Sequence, residues 1–152
     1  MNDDLKELLK LFNSRGIEYV IIGAHALAFY GHPRFTEDLD LWLSQSKETA
    51  KHLSDALKEF GIPMESGGEE AWVQERQMIR MGLPPNRVDL LNFGADIPFE
   101  EIWSRRVSSV LEGVPVQYIS KADFIRSKQD AGRPKDLLDL QELSEFQPYL
   151  DK

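Results

Sequence analysis

Asp38 and Asp40 lie two residues apart in the apolar segment DLDLWL, residues 38–43. Side chains two apart on a strand point to the same face, so these carboxylates share a face at a Cα spacing of roughly 6.5 Å. Two negative charges this close repel each other, and burying either without a partner carries a large free-energy cost. A divalent cation removes that cost, and hard cations such as Mg²⁺ prefer carboxylate oxygens. The spacing therefore indicates a metal site, and the alternative is a pair of solvated carboxylates at the exposed end of a strand.

A third carboxylate, Asp89, lies in a similar apolar segment, RVDLL, residues 87–91. If this segment forms a strand beside the first, the three aspartates meet on one face of a sheet. Three such carboxylates can hold two metal ions ~3.5–4 Å apart, which is the arrangement used for in-line displacement at phosphorus. The three aspartates are therefore candidates for a metal centre that acts on a phosphate ester.

Gly23 and Ala24 lie where an apolar strand is expected to turn into a helix, so that backbone N–H groups and a helix N-terminus face outward together. That geometry binds phosphate. A glycine needed only for close packing is the alternative. Arg34 and Thr36 come just before the carboxylate strand, where they could reach a phosphate or orient a carboxylate, and the alternative for Arg34 is an ion pair with Asp38 or Glu37.

Together these segments resemble the nucleotidyltransferase superfamily, whose fold is that of DNA polymerase beta. The resemblance rests on IIGAHALAFYGHPRFTEDLDLWL, residues 21–43, and on RVDLL. Downstream, ISKADFIRSKQDAGRPKDLLDLQEL, residues 119–143, is similar to the helical motif of the abortive-infection and MNT-like branch, several of whose members belong to toxin–antitoxin systems.

The resemblance implies a metal-dependent transfer of a nucleoside monophosphate from an NTP to an acceptor hydroxyl. It makes Asp38, Asp40 and Asp89 the catalytic metal ligands, with two Mg²⁺ ions expected and Asp89 also placed to activate the acceptor hydroxyl. It places the nucleotide on six residues: Gly23, Ala24, Arg34, Thr36, Lys128 and Arg133. Lys135 and Asp136 also match the branch motif. The superfamily usually has glycine or serine where this chain has Ala24, so a serine contact to the terminal phosphate is missing while backbone donation is retained.

The elements that must position these residues follow from hydrophobic periodicity and from helix-ending glycines and prolines. The pattern predicts the order α-β-α-β-α-β-β-α-β-α-α, which gives an α/β (α+β) domain with helices packed on a mixed sheet. The resemblance implies that this is the nucleotidyltransferase fold. We expect a single nucleotidyltransferase-like domain over residues 1–152, with C-terminal helices 120–148 as part of it. ESGGEE, residues 65–70, is predicted as a loop, with Trp72 after it as a candidate for stacking on a base, whereas Trp42 is expected in the core.

The bulk composition narrows the class of protein. With 152 residues, 41% hydrophobic and 29% charged, the chain has the composition of an ordinary globular protein. Its net charge of −8 disfavours broad attachment to nucleic acid or to anionic membranes. It contains no cysteine and no apolar run of the ~18 residues that a membrane span needs, so we expect a cytoplasmic protein.

Two other functions remain open at this stage. One is a non-catalytic module that keeps the fold and binds a partner protein, as an antitoxin does. The other is a nucleotidyltransferase whose acceptor is a small molecule such as an antibiotic. The acceptor, the base of the NTP and the oligomeric state cannot be read from the sequence.

Overall fold

The computed structural model describes residues 1–31 and 38–150, and side chains up to residue 143. Seven helices are found in this part of the chain: α1 (Asp3–Ser14), α2 (Gly23–Tyr30), α3 (Lys47–Phe60), α4 (Gly68–Gln74), α5 (Phe99–Ser104), α6 (Lys121–Ala131) and α7 (Pro134–Leu150). The strands are β1 (Tyr19–Ile22), β2 (Asp38–Leu43), β3 (Met78–Met81), β4 (Arg87–Leu91), β5 (Val107–Leu111) and β6 (Val114–Tyr118).

These strands form one mixed sheet in the order β3-β4-β2-β1-β6-β5. The central pair, β2 and β4, is parallel, as is the pair β1 and β6, whereas β1 and β2, β3 and β4, and β5 and β6 are antiparallel. With helices packed on this sheet, the predicted α/β (α+β) class is confirmed, and the architecture is that of a nucleotidyltransferase fold.

The two strands that carry the aspartates are central for a simple reason of burial. Leu39, Leu41 and Leu43 alternate with the acidic positions of β2 and are 1%, 0% and 0% exposed. Because side chains alternate across a strand, burial of these leucines turns Asp38 and Asp40 to the opposite face, as predicted. The core side of the sheet thus fixes the orientation of the acidic side.

Helix boundaries follow local capping chemistry. Asn2, Ser46 and Ser120 each accept a hydrogen bond from a backbone N–H of the first turn, at the starts of α1, α3 and α6. By contrast α2 begins at Ile22–Gly23 without a side-chain cap, because no residue at that position has a side-chain acceptor.

Two elements differ from the sequence prediction. The segment predicted as a loop at residues 65–70 leads into α4, and Trp72 is in that helix, fully buried, with its indole Nε1 donating to the Ser44 carbonyl at 2.9 Å. The proposal that Trp72 stacks on a base is therefore wrong: burial of a large aromatic ring organises a short helix there. The second is β5, an edge strand paired with β6 that the sequence pattern did not reveal.

The remaining expectations for tryptophan and for membrane segments can be checked directly. Trp42 is 3% exposed and packs edge-to-face on Phe99, which confirms it as a core residue. Within residues 1–31 and 38–150, no helix is both long and apolar enough to cross a bilayer.

Candidate active site

Three adjacent strands bring the predicted acidic residues into one row. Asp40 is opposite Ile22 of β1 on one side and opposite Asp89 of β4 on the other. Asp89 is in turn opposite Arg80 of β3. Because residues in register on neighbouring strands share a face, the end of β1, both carboxylates and a guanidinium follow one another across the sheet.

Gly23 continues that row at the start of α2. Its φ is +68°, and a Cβ built on it would overlap Asp40 Oδ2. The carboxylate of Asp40 therefore lies directly against the backbone at the start of the helix, a position open only to glycine. The close-packing explanation for this glycine is confirmed, and the packing partner is the carboxylate itself.

Asp40 experiences an unfavourable electrostatic environment. Burial, followed by the negative charges of Asp89 and Asp38, raises its pKa to about 6, and a hydrogen bond with Asp89 acts in the same direction. The three aspartates are thus close enough to influence one another, which is the spatial proposition on which the metal-site prediction rests.

Two arginines neutralise the flanking carboxylates. Arg80 donates to both oxygens of Asp89, from Nε to Oδ1 at 2.9 Å and from Nη2 to Oδ2 at 3.1 Å. Arg87, opposite Asp38 on β4, donates from Nη2 to Asp38 Oδ2. That second pair is incomplete: Asp38 Oδ1 and Arg87 Nε are both buried and have no hydrogen-bond partner among the residues that the structure describes.

Positive charge approaches from the C-terminal helices. Lys128 of α6 contacts Asp136 Oδ1 at 3.3 Å and Asp139 Oδ2 at 3.1 Å, both on α7, and its side chain is only 12% exposed. Arg133 donates to Asp136 through its side chain and through its backbone N–H. Hydrogen bonds from Arg133, above all, lower the pKa of Asp136 to about 2. Asp136 thus orients both Lys128 and Arg133.

A cavity of about 550 Å³ separates the carboxylates from these cations. The predicted residues Gly23, Ala24, Asp38, Asp40, Lys128 and Arg133 all line it, together with Ile22, Leu91, Phe93, Gly94, Ser127, Ala131, Lys135, Asp136 and Asp139. Asp89 is buried beside Asp40 and is not one of the residues lining the cavity. Arg34 and Thr36 lie outside the described residues, so their assignment stays a prediction.

A second cavity of about 520 Å³ continues from the first. The two share Phe93, Gly94, Ser127 and Ala131, and the second also reaches Arg76, Asp96 and Asp130. The guanidinium carbon of Arg76 lies over the Phe93 ring, 3.9 Å from its centroid. Neither residue belongs to a motif that the sequence predicts as functional.

The donor set fits a hard divalent cation, although the carboxylates are not arranged around one. Within the described ranges, no three His, Cys, Asp or Glu side chains surround a common ion position. Both oxygens of Asp89 and one of Asp38 are bound to guanidinium groups. Asp38 Oδ1 is buried and has no partner within the described ranges, so it is an oxygen that a cation would satisfy. The metal-ligand assignment of Asp38, Asp40 and Asp89 stays a prediction.

Several residues of the site were missed by the sequence analysis. Arg80 and Arg87 are recognisable only once strand register is known, because each faces its aspartate across a ladder. Asp139 follows Asp136 by three residues, a helical spacing that places both carboxylates on one face. That spacing was the sequence feature that could have indicated that two carboxylates bind Lys128.

Fold and site together define a nucleotidyltransferase-type domain, with paired strand aspartates beside a glycine-started helix. Comparison with known families agrees: residues 1–151 match the family described as nucleotidyl transferase of unknown function (DUF2204). The chain belongs to this family. A comparison with curated proteins gave no match.

Proposed function

We propose that the protein is a metal-dependent nucleotidyltransferase, which moves a nucleoside monophosphate from an NTP to an acceptor hydroxyl and releases pyrophosphate. The observation that carries the proposal is the cavity between the Asp38–Asp40 pair and the cations Lys128, Arg133 and Lys135. The carboxylates that line this cavity are ligands for metal ions, and the cations that line it bind phosphate oxygens. A nucleoside triphosphate complexed with Mg²⁺ requires both.

The start of α2 supplies the phosphate contact. No side-chain cap of α2 is found among the described residues, so the backbone N–H groups of Gly23 and Ala24 are the expected donors to a phosphate. Gly23 and Ala24 line the cavity at this point, and the helix dipole favours an anion there. The replacement of the usual glycine or serine by Ala24 removes a hydroxyl contact and leaves these backbone donors in place.

Lys128 and Arg133 stabilise the charge that develops on the departing pyrophosphate. Two carboxylates bind Lys128, which therefore approaches the cavity in a fixed orientation. The Arg133 side chain is 69% exposed and is bound to Asp136. Positive groups that are positioned before the reaction lower the barrier most. Lys135 adds a third cation on the same wall.

Asp38, Asp40 and Asp89 would hold the Mg²⁺ ions, which neutralise the α-phosphate and the leaving group when bound. In the reaction the acceptor oxygen forms a bond to the α-phosphorus as the bond to the bridging oxygen of pyrophosphate breaks. The proton of the acceptor hydroxyl passes to a carboxylate of the site, for which Asp89 is the residue implied by the resemblance.

The test is transfer of label. The protein is incubated with each of the four α-labelled NTPs, Mg²⁺ and an extract of its own cells, and the labelled acceptor is isolated. We expect Mg²⁺-dependent labelling that is lost in Asp38→Asn and Asp89→Asn, with circular dichroism showing that both variants fold. Undiminished labelling by either variant would contradict the assignment.

A second candidate, a non-catalytic binding module, is favoured by the arginine contacts, because Arg80 and Arg87 occupy carboxylates that metal ions would need. It predicts no binding of any Mg²⁺-NTP. A small-molecule acceptor, such as an antibiotic, would appear in the labelling experiment as a labelled product of low molecular mass.

We also propose a protein partner in a toxin–antitoxin pair. Its support is the resemblance of residues 119–143 to the helical motif of that branch. The neighbouring reading frame tests it: a small co-transcribed partner that co-purifies with this chain is expected, and a solitary gene would contradict it.

A further inference from the structure

Phe93 lies at the boundary between the two connected cavities. It lines both the cavity that contains Asp38 and Asp40 and the cavity that continues beyond it. The ring is half-buried and projects from the chain two residues after β4 ends at Leu91. A planar apolar surface is thus available inside a cleft that is also lined by charged side chains.

The residues on both sides of Phe93 are fixed by the fold. The Asn92 side chain is 6% exposed, accepts from Gln77 N at 2.8 Å and donates to the carbonyls of Trp72 and Glu75, each at 2.8 Å. Gly94 packs so tightly on Trp42 that a Cβ there would overlap the indole ring. With both neighbours anchored, the Phe93 ring is held at a defined position in the cleft.

Arg76 supports the ring from one side. Its guanidinium stacks on Phe93, and its position is fixed because Gln77, the next residue, exchanges backbone and side-chain hydrogen bonds with Asn92. A guanidinium over one face of an aromatic ring attracts its π-electrons and holds the ring in place. Rings held in this way serve as stacking platforms for other planar groups.

We propose that Phe93 is the platform on which the base of the nucleotide donor stacks. This inference rests on the proposed function and assigns the base-binding part of the same nucleotide site. Phe93 follows Asp89 by four residues, so their Cα atoms lie at most roughly 13 Å apart, a distance that a nucleotide can span. A nucleotide with its phosphates between the aspartates and Lys128 therefore reaches Phe93 with its base.

The charges along the cleft give the nucleotide this direction. Lys128, Arg133 and Lys135 line the first cavity at the phosphate end. The second cavity is lined by the carboxylates of Asp96 and Asp130, which repel phosphate, and by Arg76, whose guanidinium is stacked on Phe93. The neutral, planar base is the part of an NTP that suits the Phe93 end.

The experiment compares two probes that differ only in the nucleoside. Binding of each Mg²⁺-NTP and of Mg²⁺-tripolyphosphate is measured by calorimetry for the wild type and for Phe93→Ala. Loss of aromatic stacking on a base weakens binding by roughly 5- to 100-fold. We expect that loss for the preferred NTP and unchanged binding of tripolyphosphate. Phe60→Ala, which truncates a half-buried phenylalanine outside both cavities, is the matched control and is expected to change neither.

Conservative variants separate stacking from a structural role. Phe93→Tyr retains the ring and is expected to bind NTP as the wild type does, whereas Phe93→Leu retains apolar volume and is expected to bind as weakly as Phe93→Ala. Equal binding by wild type and Phe93→Leu, or parallel losses for NTP and tripolyphosphate, would overturn the inference while leaving the proposed function intact. If neither probe binds the wild-type protein, the proposed function fails, and this assignment fails with it.

Discussion

Arg80 and Asp89 face each other across β3 and β4, and the guanidinium donates to both carboxylate oxygens. Asp89 is 7% exposed in this pair, whereas Arg80 is 49% exposed. A cation that binds Asp89 must therefore share it with, or displace, an arginine that can move into solvent. The pair thus neutralises the carboxylate of Asp89, the most buried of the three aspartates.

Removal of this arginine should strengthen metal binding. In Arg80→Gln the competing guanidinium and its repulsion of an incoming cation are lost, so we expect Mn²⁺ to bind several-fold more tightly in an electron paramagnetic resonance titration without nucleotide. Arg105→Gln is the control, because Arg105 makes an equivalent two-bond pair with Asp123, and neither residue lines the cavity. Weaker Mn²⁺ binding in Arg80→Gln would show instead that Arg80 positions Asp89 as a ligand.

Gly23 should be required for nucleotide binding and not only for folding. In Gly23→Ala the new methyl overlaps Asp40 Oδ2 and pushes the carboxylate away from the helix start. Gly16→Ala is the matched control: its φ is +66°, and a Cβ there meets nothing within 4 Å. Both variants should lose about 1–2 kcal/mol from the left-handed backbone. Calorimetry should show loss of Mg²⁺-NTP binding in Gly23→Ala alone, and equal binding by both variants would refute this role.

Asp136 should stabilise the fold in a pH-dependent way. Its folded pKa of about 2 lies below the ordinary aspartate value of 3.8, so its contribution is present above pH 4 and is lost as pH falls toward 2. Asp136→Asn leaves the poorly exposed Lys128 with one carboxylate partner instead of two, and we expect a loss of roughly 2 kcal/mol at pH 7. Urea unfolding at pH 7, 5 and 3 should show the difference between the two proteins narrowing at pH 3, and a difference independent of pH would contradict the pairing.

The sequence predicted the acidic half of the site well because its signals are local. Alternation of leucine and aspartate in β2 determines which face the carboxylates occupy, and the glycine before a helical stretch marks the turn from β1 to α2. Lys128 and Arg133 were found through the motif resemblance, and both line the same cavity as Asp38 and Asp40.

What the sequence did not predict depends on long-range packing. The position of Trp72 reflects a buried hydrogen bond to Ser44, 28 residues away, which no local pattern encodes. The arginines opposite Asp38 and Asp89 depend on the register of β2, β3 and β4. Phe93 is notable only because Asn92 and Gly94 are anchored to residues distant in sequence. Strand β5 is short, partly exposed and interrupted by two serines, so its apolar periodicity is weak.

Calorimetric titration of Mg²⁺-NTP into wild type and Asp40→Asn tests the central claim, which is that the strand aspartates hold a metal-complexed nucleotide. Because burial and neighbouring carboxylates disfavour the charged form of Asp40, the asparagine variant should be at least as stable as wild type when metal is removed with EDTA. We predict that wild type binds one of the four NTPs with Mg²⁺ and not with EDTA, and that Asp40→Asn binds it at least tenfold more weakly. Equal affinity of the two proteins, or wild-type binding that is unaffected by EDTA, would contradict the account.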